Sequence, residues 1–220
     1  MRNDKIINLI WDMDGTIVNS YPEIMERIRK TLEAFNKSNK YSDEYIYSVI
    51  IHNTVGYFNR LFASENNIDF EEVKRVVSNI PARTTGLELM PNMKEFLEWS
   101  KNKGNINNYI YTHRGPSYKG ILENLGVDKY FIDCIDSTYG FPIKPNPKGL
   151  EFLIDKYNMD RSYTYYIGDR VIDIECGKNA NIKSIFYNSS GFNDFDTSKA
   201  DNVILDINEI KEILENKYKI

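Results

Sequence analysis

The chain has 220 residues, 41% of them hydrophobic and 27% charged, with a formal net charge of −4. This composition fits a globular protein with one large domain, or one domain carrying a smaller insert. No basic tract supports binding to nucleic acid or to an anionic membrane. No apolar run approaches the roughly 20 residues that a membrane helix needs. The N-terminus, "MRNDKIINLIWD", reaches polar and charged residues too soon for a signal peptide. A cytoplasmic protein is expected. Cys134 and Cys176 fit no metal-ligand spacing and read as small buried side chains in a reducing compartment.

Residues 6 to 11 read as a buried strand. From Pro22 to about Phe35, the positions Ile24, Ile28, Thr31, Leu32 and Phe35 recur at helical spacing. Helical patterns continue through 43 to 50, 55 to 65 and 70 to 80, without an intervening strand signal. Residues 18 to 82 thus form a helical insert, closed near Pro81. Pro91 then opens a helix that Gly104 ends. Strands are expected at 108 to 112, 131 to 135, 163 to 169, 183 to 187 and 202 to 205. Helices are expected near 116 to 125, 147 to 157, 171 to 180 and 207 to 218. Alternating strands and helices imply right-handed crossovers and a mainly parallel sheet. The expected fold class is an α/β sandwich interrupted after its first strand.

Open parallel sheets bind ligands at the carboxyl ends of their strands. Asp12 and Asp14 follow the first strand, in "WDMDGT". By itself this hexapeptide is an ordinary Asp-Gly turn. Other strand ends add partners, however. Thr112, His113 and Arg114 follow the strand at 108 to 112, and Asp169 and Asp173 follow the one at 163 to 169. Lys144 sits in the loop "IKPNPKG" on the same edge. Each has a plainer reading: Asp169 and Asp173 as acids favoured by a helix N-terminus, Lys144 as an exposed loop residue, Thr112 as a β-branched strand residue.

The constellation resembles the haloacid dehalogenase superfamily of hydrolases, in particular its phosphoglycolate phosphatase-like branch with a helical cap. Four motifs carry the resemblance in order: "DMDGT" (12 to 16), "YT" (111 to 112), "KPNP" (144 to 147) and "GDRVID" (168 to 173), with the tail "ADNVILDINEIKEIL" (200 to 214). The resemblance implies a Rossmann-like core made of 1 to 17 and 83 to 220, and a small cap spanning 18 to 82. It implies a Mg²⁺-dependent phosphatase acting on a small phosphorylated metabolite, phosphoglycolate by default. Asp12 would be the nucleophile, and Asp14 would pass the proton to the leaving group and then take one from water. Asp12, Asp169 and the main-chain carbonyl of Asp14 would hold the metal, with Asp173 in support. Lys144 and Thr112 would hold the phosphoryl group, and His113 and Arg114 would face the substrate. In the cap, the loop "HNTVGYF" (52 to 58), with Gly56 and Tyr57, would select the leaving group, and Gly15 and Gly86 would lie at the hinges. Arg170 departs from the pattern, where a small polar residue is usual.

The chemistry needs these groups. An attacking carboxylate about 3.5 Å from one phosphoryl charge is repelled by roughly 5 kcal/mol at an effective dielectric of 20. Positive charge must offset this, and a hard cation such as Mg²⁺ suits oxygen ligands. A phosphosugar mutase is the alternative, although 18 to 82 shows no Arg and Ser cluster like that branch's cap motif. A dehalogenase is disfavoured because a departing halide needs no proton, which leaves Asp14 and Asp169 idle. A noncatalytic binding protein would be expected to have lost one of the acids.

Overall fold

The computed structural model describes residues 5–219. They divide into two compact units, Ser20–Arg83 and the remainder on either side of it. Strand β1 (Ile7–Trp11) is buried along its whole length, as its unbroken apolar run dictates. A two-residue strand β2 (Val18–Asn19) follows the turn after it.

The Ser20–Arg83 unit holds four helices, α1 (Tyr21–Ala34), α2 (Asp43–His52), α3 (Val55–Asn66) and α4 (Phe70–Ser78). Three of them start at side-chain caps: Ser42, Thr54 and Asp69 each accept a hydrogen bond from a backbone N–H in the first turn. Their apolar faces meet in a core containing Ile28, Leu32, Ile46, Ile50, Phe58, Phe62 and Val73. The segment 52 to 58 is a helix junction, where the sequence suggested a loop. Thr54 ends the connection, and Gly56 and Tyr57 lie in the first turn of α3.

The other unit continues with β3 (Glu88–Leu89), which pairs antiparallel with β2. This ribbon was not anticipated, since two-residue strands carry no alternation to read. Then come α5 (Met93–Lys103), β4 (Ile106–Tyr111), α6 (Ser117–Leu125), β5 (Phe131–Ile135), α7 (Lys148–Lys156) and β6 (Thr164–Gly168). The chain closes with α8 (Val171–Asn179), β7 (Lys183–Tyr187), β8 (Asn202–Ile204) and α9 (Glu209–Tyr218). Helix α5 starts two residues after Pro91, because Asn92 adopts a left-handed φ of 64° at its N-cap. No described helix is long and apolar enough to cross a membrane.

The six main strands form one parallel sheet in the order β5-β4-β1-β6-β7-β8. Alternation along β1 sends Ile7, Leu9 and Trp11 into one core layer and Ile10 into the other. The first layer includes Phe96 and Leu97 of α5, Ile121 of α6 and Leu214 of α9, and the second includes Leu150 and Leu153 of α7 and Cys176 of α8. Polar groups inside the sheet are satisfied in relay: Trp11 Nε1 donates to Asn108 Oδ1, whose Nδ2 donates to Ser100 Oγ. With β1 at the centre, its carboxyl end meets those of β4 and β6.

Two glycines in helices of this unit should respond oppositely to alanine. A Cβ on Gly149 would lie 2.4 Å from the Tyr111 ring, whereas one on Gly120 would meet only the Thr84 side chain, at 3.6 Å. Gly149→Ala is expected to destabilise by about 1–3 kcal/mol through overpacking. Gly120→Ala is expected to stabilise by up to about 1 kcal/mol through helix propensity. Urea unfolding of both variants checks the pair, and an unaffected Gly149→Ala would contradict this packing.

Candidate active site

The turn after β1 sets two carboxylates on the sheet's edge. Asp12 N–H still donates to Ile167 O of β6 at 2.8 Å, so Asp12 remains locked to the sheet. The Met13 carbonyl then accepts from the N–H groups of Thr16, Ile17 and Val18, and Gly15 takes a φ of 78° to close the turn. Met13 is buried while Asp14 returns to the edge, its side chain 24% exposed. The i, i+2 spacing thus brings both carboxylates to one end of β1.

Lys144 is the centre of the cluster. Its side chain is wholly buried, and Nζ donates to Asp12 Oδ1 at 2.5 Å and to Asp173 Oδ1 at 2.9 Å. The ring centroids of Tyr111 and Tyr166 lie 5.1 and 5.2 Å from Nζ, adding cation–π attraction in a dry setting. Burial works against the Lys144 ammonium, but Asp12 and Asp173 outweigh it and hold the group charged.

Asp173 sits in the first turn of α8. It accepts from Lys144 Nζ and the Tyr166 hydroxyl at Oδ1, and from the Arg170 N–H at Oδ2. Burial pushes its pKa up, but Lys144, Arg170 and these hydrogen bonds bring it below the usual carboxylate value. Gly168 permits the close approach, since a Cβ there would lie 2.4 Å from Asp173 Cβ. Asp12 differs. Burial raises it to about 6 despite Lys144, and its Oδ2 is buried with no hydrogen-bond partner. Ligand oxygens of Asp12, Asp169 and Asp173 lie within 4.8 Å of one another. Asp169 Oδ1 also accepts from Thr16 Oγ1 at 3.2 Å. A dry, oxygen-only donor set with an unpaired carboxylate oxygen fits a hard divalent cation.

The β4 end supplies the remaining groups. Thr112 is buried, and its Oγ1 accepts the Arg114 N–H at 3.1 Å. His113 Nε2 accepts the Lys144 backbone N–H at 3.1 Å, which fixes the neutral tautomer with its proton on Nδ1. His113 therefore braces the lysine loop across 31 residues of sequence. Arg114 forks onto Asp14, with Nε 3.0 and 3.1 Å from Oδ1 and Oδ2 and Nη2 2.6 Å from Oδ1.

Asp12, Asp14, Thr112, His113, Arg114, Lys144, Asp169 and Asp173 are thus gathered at one edge of the sheet unit. Gly56 and Tyr57 belong to the helical unit. The sequence reading missed the parts played by Thr16, Tyr111 and Tyr166. Nothing in the run "YTYY" (163 to 166) marks Tyr166 as different from its neighbours. Tyr166 does lie in the core layer behind the site, but its hydroxyl reaches Asp173.

With this geometry in view, the comparisons are specific. Residues 9–187 match the haloacid dehalogenase-like hydrolases, and the chain belongs to that family. Over 98% of its length it is 25% identical to a phosphoglycolate phosphatase from Vibrio parahaemolyticus, covering 97% of that protein. Over 80% of its length it is 26% identical to the pyrophosphatase PpaX of Listeria innocua, covering 80% of that one. A haloacid dehalogenase-like hydrolase from Bacteroides fragilis shares the fold, with a TM-score of 0.79 at 20% identity, over 94% of this chain and all of the other.

His113 makes the fold sensitive to acid. Burial, then Lys144 and Arg170, lower its pKa from 6.5 to about 3. The folded state therefore binds fewer protons than the unfolded one between these values. Its contribution to stability is complete above pH 6.5 and is lost as pH falls below that. From pH 7 to 5 the loss from this group amounts to about 2 kcal/mol. Denaturant unfolding at both pH values should show His113→Asn losing about 2 kcal/mol less than the wild type across that interval. Equal losses would contradict a buried neutral imidazole.

Proposed function

We propose that the protein is a Mg²⁺-dependent phosphatase that cleaves a small phosphate monoester through an aspartyl phosphate on Asp12. A phosphoglycolate-like ester is the default substrate. The observation that carries this reading is the unequal treatment of the two Asp12 oxygens. Lys144 fixes Oδ1, while Oδ2 is buried without a hydrogen bond, in a carboxylate of which one oxygen lies within 4.8 Å of an oxygen of Asp169 and of Asp173. The names of the two curated relatives support phosphate-ester or phosphoanhydride cleavage as the reaction class.

Asp12 and Asp169, with the Asp14 carbonyl, would hold the cation. Asp173 serves as a support, since both its oxygens already accept hydrogen bonds. Bound there, Mg²⁺ would offset the negative charge that an attacking carboxylate meets at a phosphoryl group. An Asp12 carboxylate oxygen attacks phosphorus while the bond to the bridging oxygen breaks. Asp14 gives its proton to that departing oxygen, and afterwards accepts one from the water that attacks the phosphoryl-Asp12. Asp12 is regenerated and inorganic phosphate leaves. Lys144 orients the nucleophile throughout. Thr112 Oγ1 accepts from the Arg114 N–H, which leaves its own hydrogen to donate to a phosphoryl oxygen. His113 holds the Lys144 backbone in place. The free cysteines, Cys134 and Cys176, are buried, which suits a reducing cytoplasm.

Asp12→Asn is nearly isosteric but removes the nucleophile. It should lower turnover of p-nitrophenyl phosphate by at least ~10³-fold with an unchanged circular dichroism spectrum. EDTA should silence the wild type and Mg²⁺ restore it. Substantial activity in Asp12→Asn, or full activity in chelator, would overturn the proposed reaction.

The helical unit is proposed to act as a cap that reads the leaving group through the 52 to 58 segment. Tyr57 is 49% exposed at the start of α3, a large side chain not committed to that unit's core. Tyr57→Ala should change relative kcat/KM among phosphate monoesters by about 10-fold. Vanadate inhibition, which depends on the sheet-edge groups, should shift much less. A uniform fall across the substrate panel would remove selectivity from this segment.

A further inference from the structure

The sheet carries a second polar recess, at the edge opposite the catalytic one. A cleft of about 330 Å³ opens at the amino ends of β4, β1 and β6, between Lys5, Asn8, Asn107, Tyr157, Met159 and Tyr163. Its floor is a pair of carboxamides, since Asn8 of β1 and Asn107 of β4 are register partners on neighbouring strands. Asn8 interrupts the apolar run of β1 with a residue type that strands disfavour. It is 4% exposed, and among the described residues its side-chain amide has no hydrogen-bond partner. Buried polar groups nearby are satisfied within the protein. Asn108 Oδ1 accepts from Trp11 and its Nδ2 donates to Ser100, while Thr164 Oγ1 donates to Asp160 O at 2.8 Å. A buried amide without a partner costs stability, so an unsatisfied Asn8 lining a cleft marks a place for a ligand.

What the ligand must offer follows from the groups around it. A carboxamide carries a donor and an acceptor side by side, so its full partner presents an acceptor next to a donor on one rigid edge. A carboxylate or a phosphate offers only acceptors, and an ammonium only donors. The wall of the cleft is flat and fixed. The Tyr157 ring packs on Tyr109 with centroids 4.8 Å apart, and its hydroxyl donates to Asp133 Oδ2. An anchored ring beside the buried Met159 suits a planar, polarisable partner. Charge at the rim is balanced, because Lys5, whose Nζ donates to the Tyr163 hydroxyl, and Asp160 both line the cleft. That balance favours a neutral ligand. An exocyclic amine beside a ring nitrogen is the required edge, and adenine pairs with an Asn side chain in this bidentate way. The volume admits a purine with its sugar. We propose that this cleft binds an adenine ring, free or as its nucleoside, on the Asn8 carboxamide. Asn8 precedes Asp12 by roughly 13 Å along β1, so the purine occupies a site separate from the catalytic edge.

Calorimetric titration of the whole chain tests this without any turnover, so its outcome is independent of the phosphatase reading. Adenosine should bind with a Kd on the order of 0.1 mM. Inosine, which has a carbonyl in place of the amine, should bind at least about 10-fold more weakly. Adenine is the second arm: equal affinity assigns the cleft to the free base, a gain with the ribose assigns it to the nucleoside, and either result supports the proposal. Asn8→Leu keeps much of the volume without the polar atoms. It should abolish adenosine binding while raising the urea midpoint of unfolding, because an unpaired amide has been removed. That rise separates lost recognition from misfolding. Asn107→Ala, at a half-buried position, should weaken adenosine by at least about threefold and decides the matter should Asn8→Leu fail to fold. Saturating vanadate with Mg²⁺ should leave adenosine affinity unchanged. No binding of adenosine or adenine at millimolar concentration, equal affinity for inosine, or undiminished binding in both variants overturns the proposal. Displacement by vanadate overturns it as well, since the purine would then lie at the catalytic edge.

Discussion

A fully buried ammonium organises this site. Lys144 Nζ bridges Asp12 and Asp173, within cation–π distance of the rings of Tyr111 and Tyr166, with no exposed side-chain surface. Such a charge persists in the interior only when its partners are held at short distance, and removing one partner of a buried pair typically costs about 3–5 kcal/mol. The surrounding chain meets that demand from three directions. Strand β1 delivers Asp12, still hydrogen-bonded to β6. Gly168 leaves room for Asp173 in the first turn of α8. His113, after β4, ties down the Lys144 backbone. Three separate strand ends thus converge on one cation.

The two aspartates of the first turn acquire opposite surroundings from a two-residue offset. Asp12 is 2% exposed, fixed by Lys144 at one oxygen and left without a hydrogen bond at the other. Asp14 is more exposed and meets Arg114 at both oxygens. Distinct environments for neighbouring carboxylates are the usual route to distinct chemical roles. Here the proposed nucleophile is held rigidly by Lys144, beside a proposed proton carrier that pairs with Arg114.

Much of this was legible in the residues. The apolar run before Asp12, the alternation of strands and helices, and the position of polar groups after strands located the edge and most of its side chains. Membership of the haloacid dehalogenase-like hydrolases agrees with the four motifs in their order. What was not legible depended on long-range packing. Nothing local distinguishes Tyr166 from the adjacent Tyr165, yet Tyr166 faces the layer behind the site and bonds Asp173, while Tyr165 enters the opposite layer. That the His113 ring accepts a backbone N–H from Lys144, 31 residues on, has no local sign in the sequence. Arg114 beside Thr112 gave no hint that its fork would land on Asp14, 100 residues earlier. Short strands such as β2 and β3 lie below the length at which periodicity says anything.

The proposed reaction places a phosphoryl group on Asp12 for part of each turnover, and this can be observed directly. The protein, mixed with Mg²⁺ and a phosphate monoester and quenched in acid within the first turnovers, is treated with borohydride and digested for mass spectrometry. Borohydride reduces an acyl phosphate to the alcohol, so the peptide containing Asp12 should carry homoserine at position 12, and the Asp14 side chain should be unchanged. Formation of homoserine at Asp14 instead, or turnover with no reducible aspartate under conditions that trap a known acyl phosphate, would contradict the account.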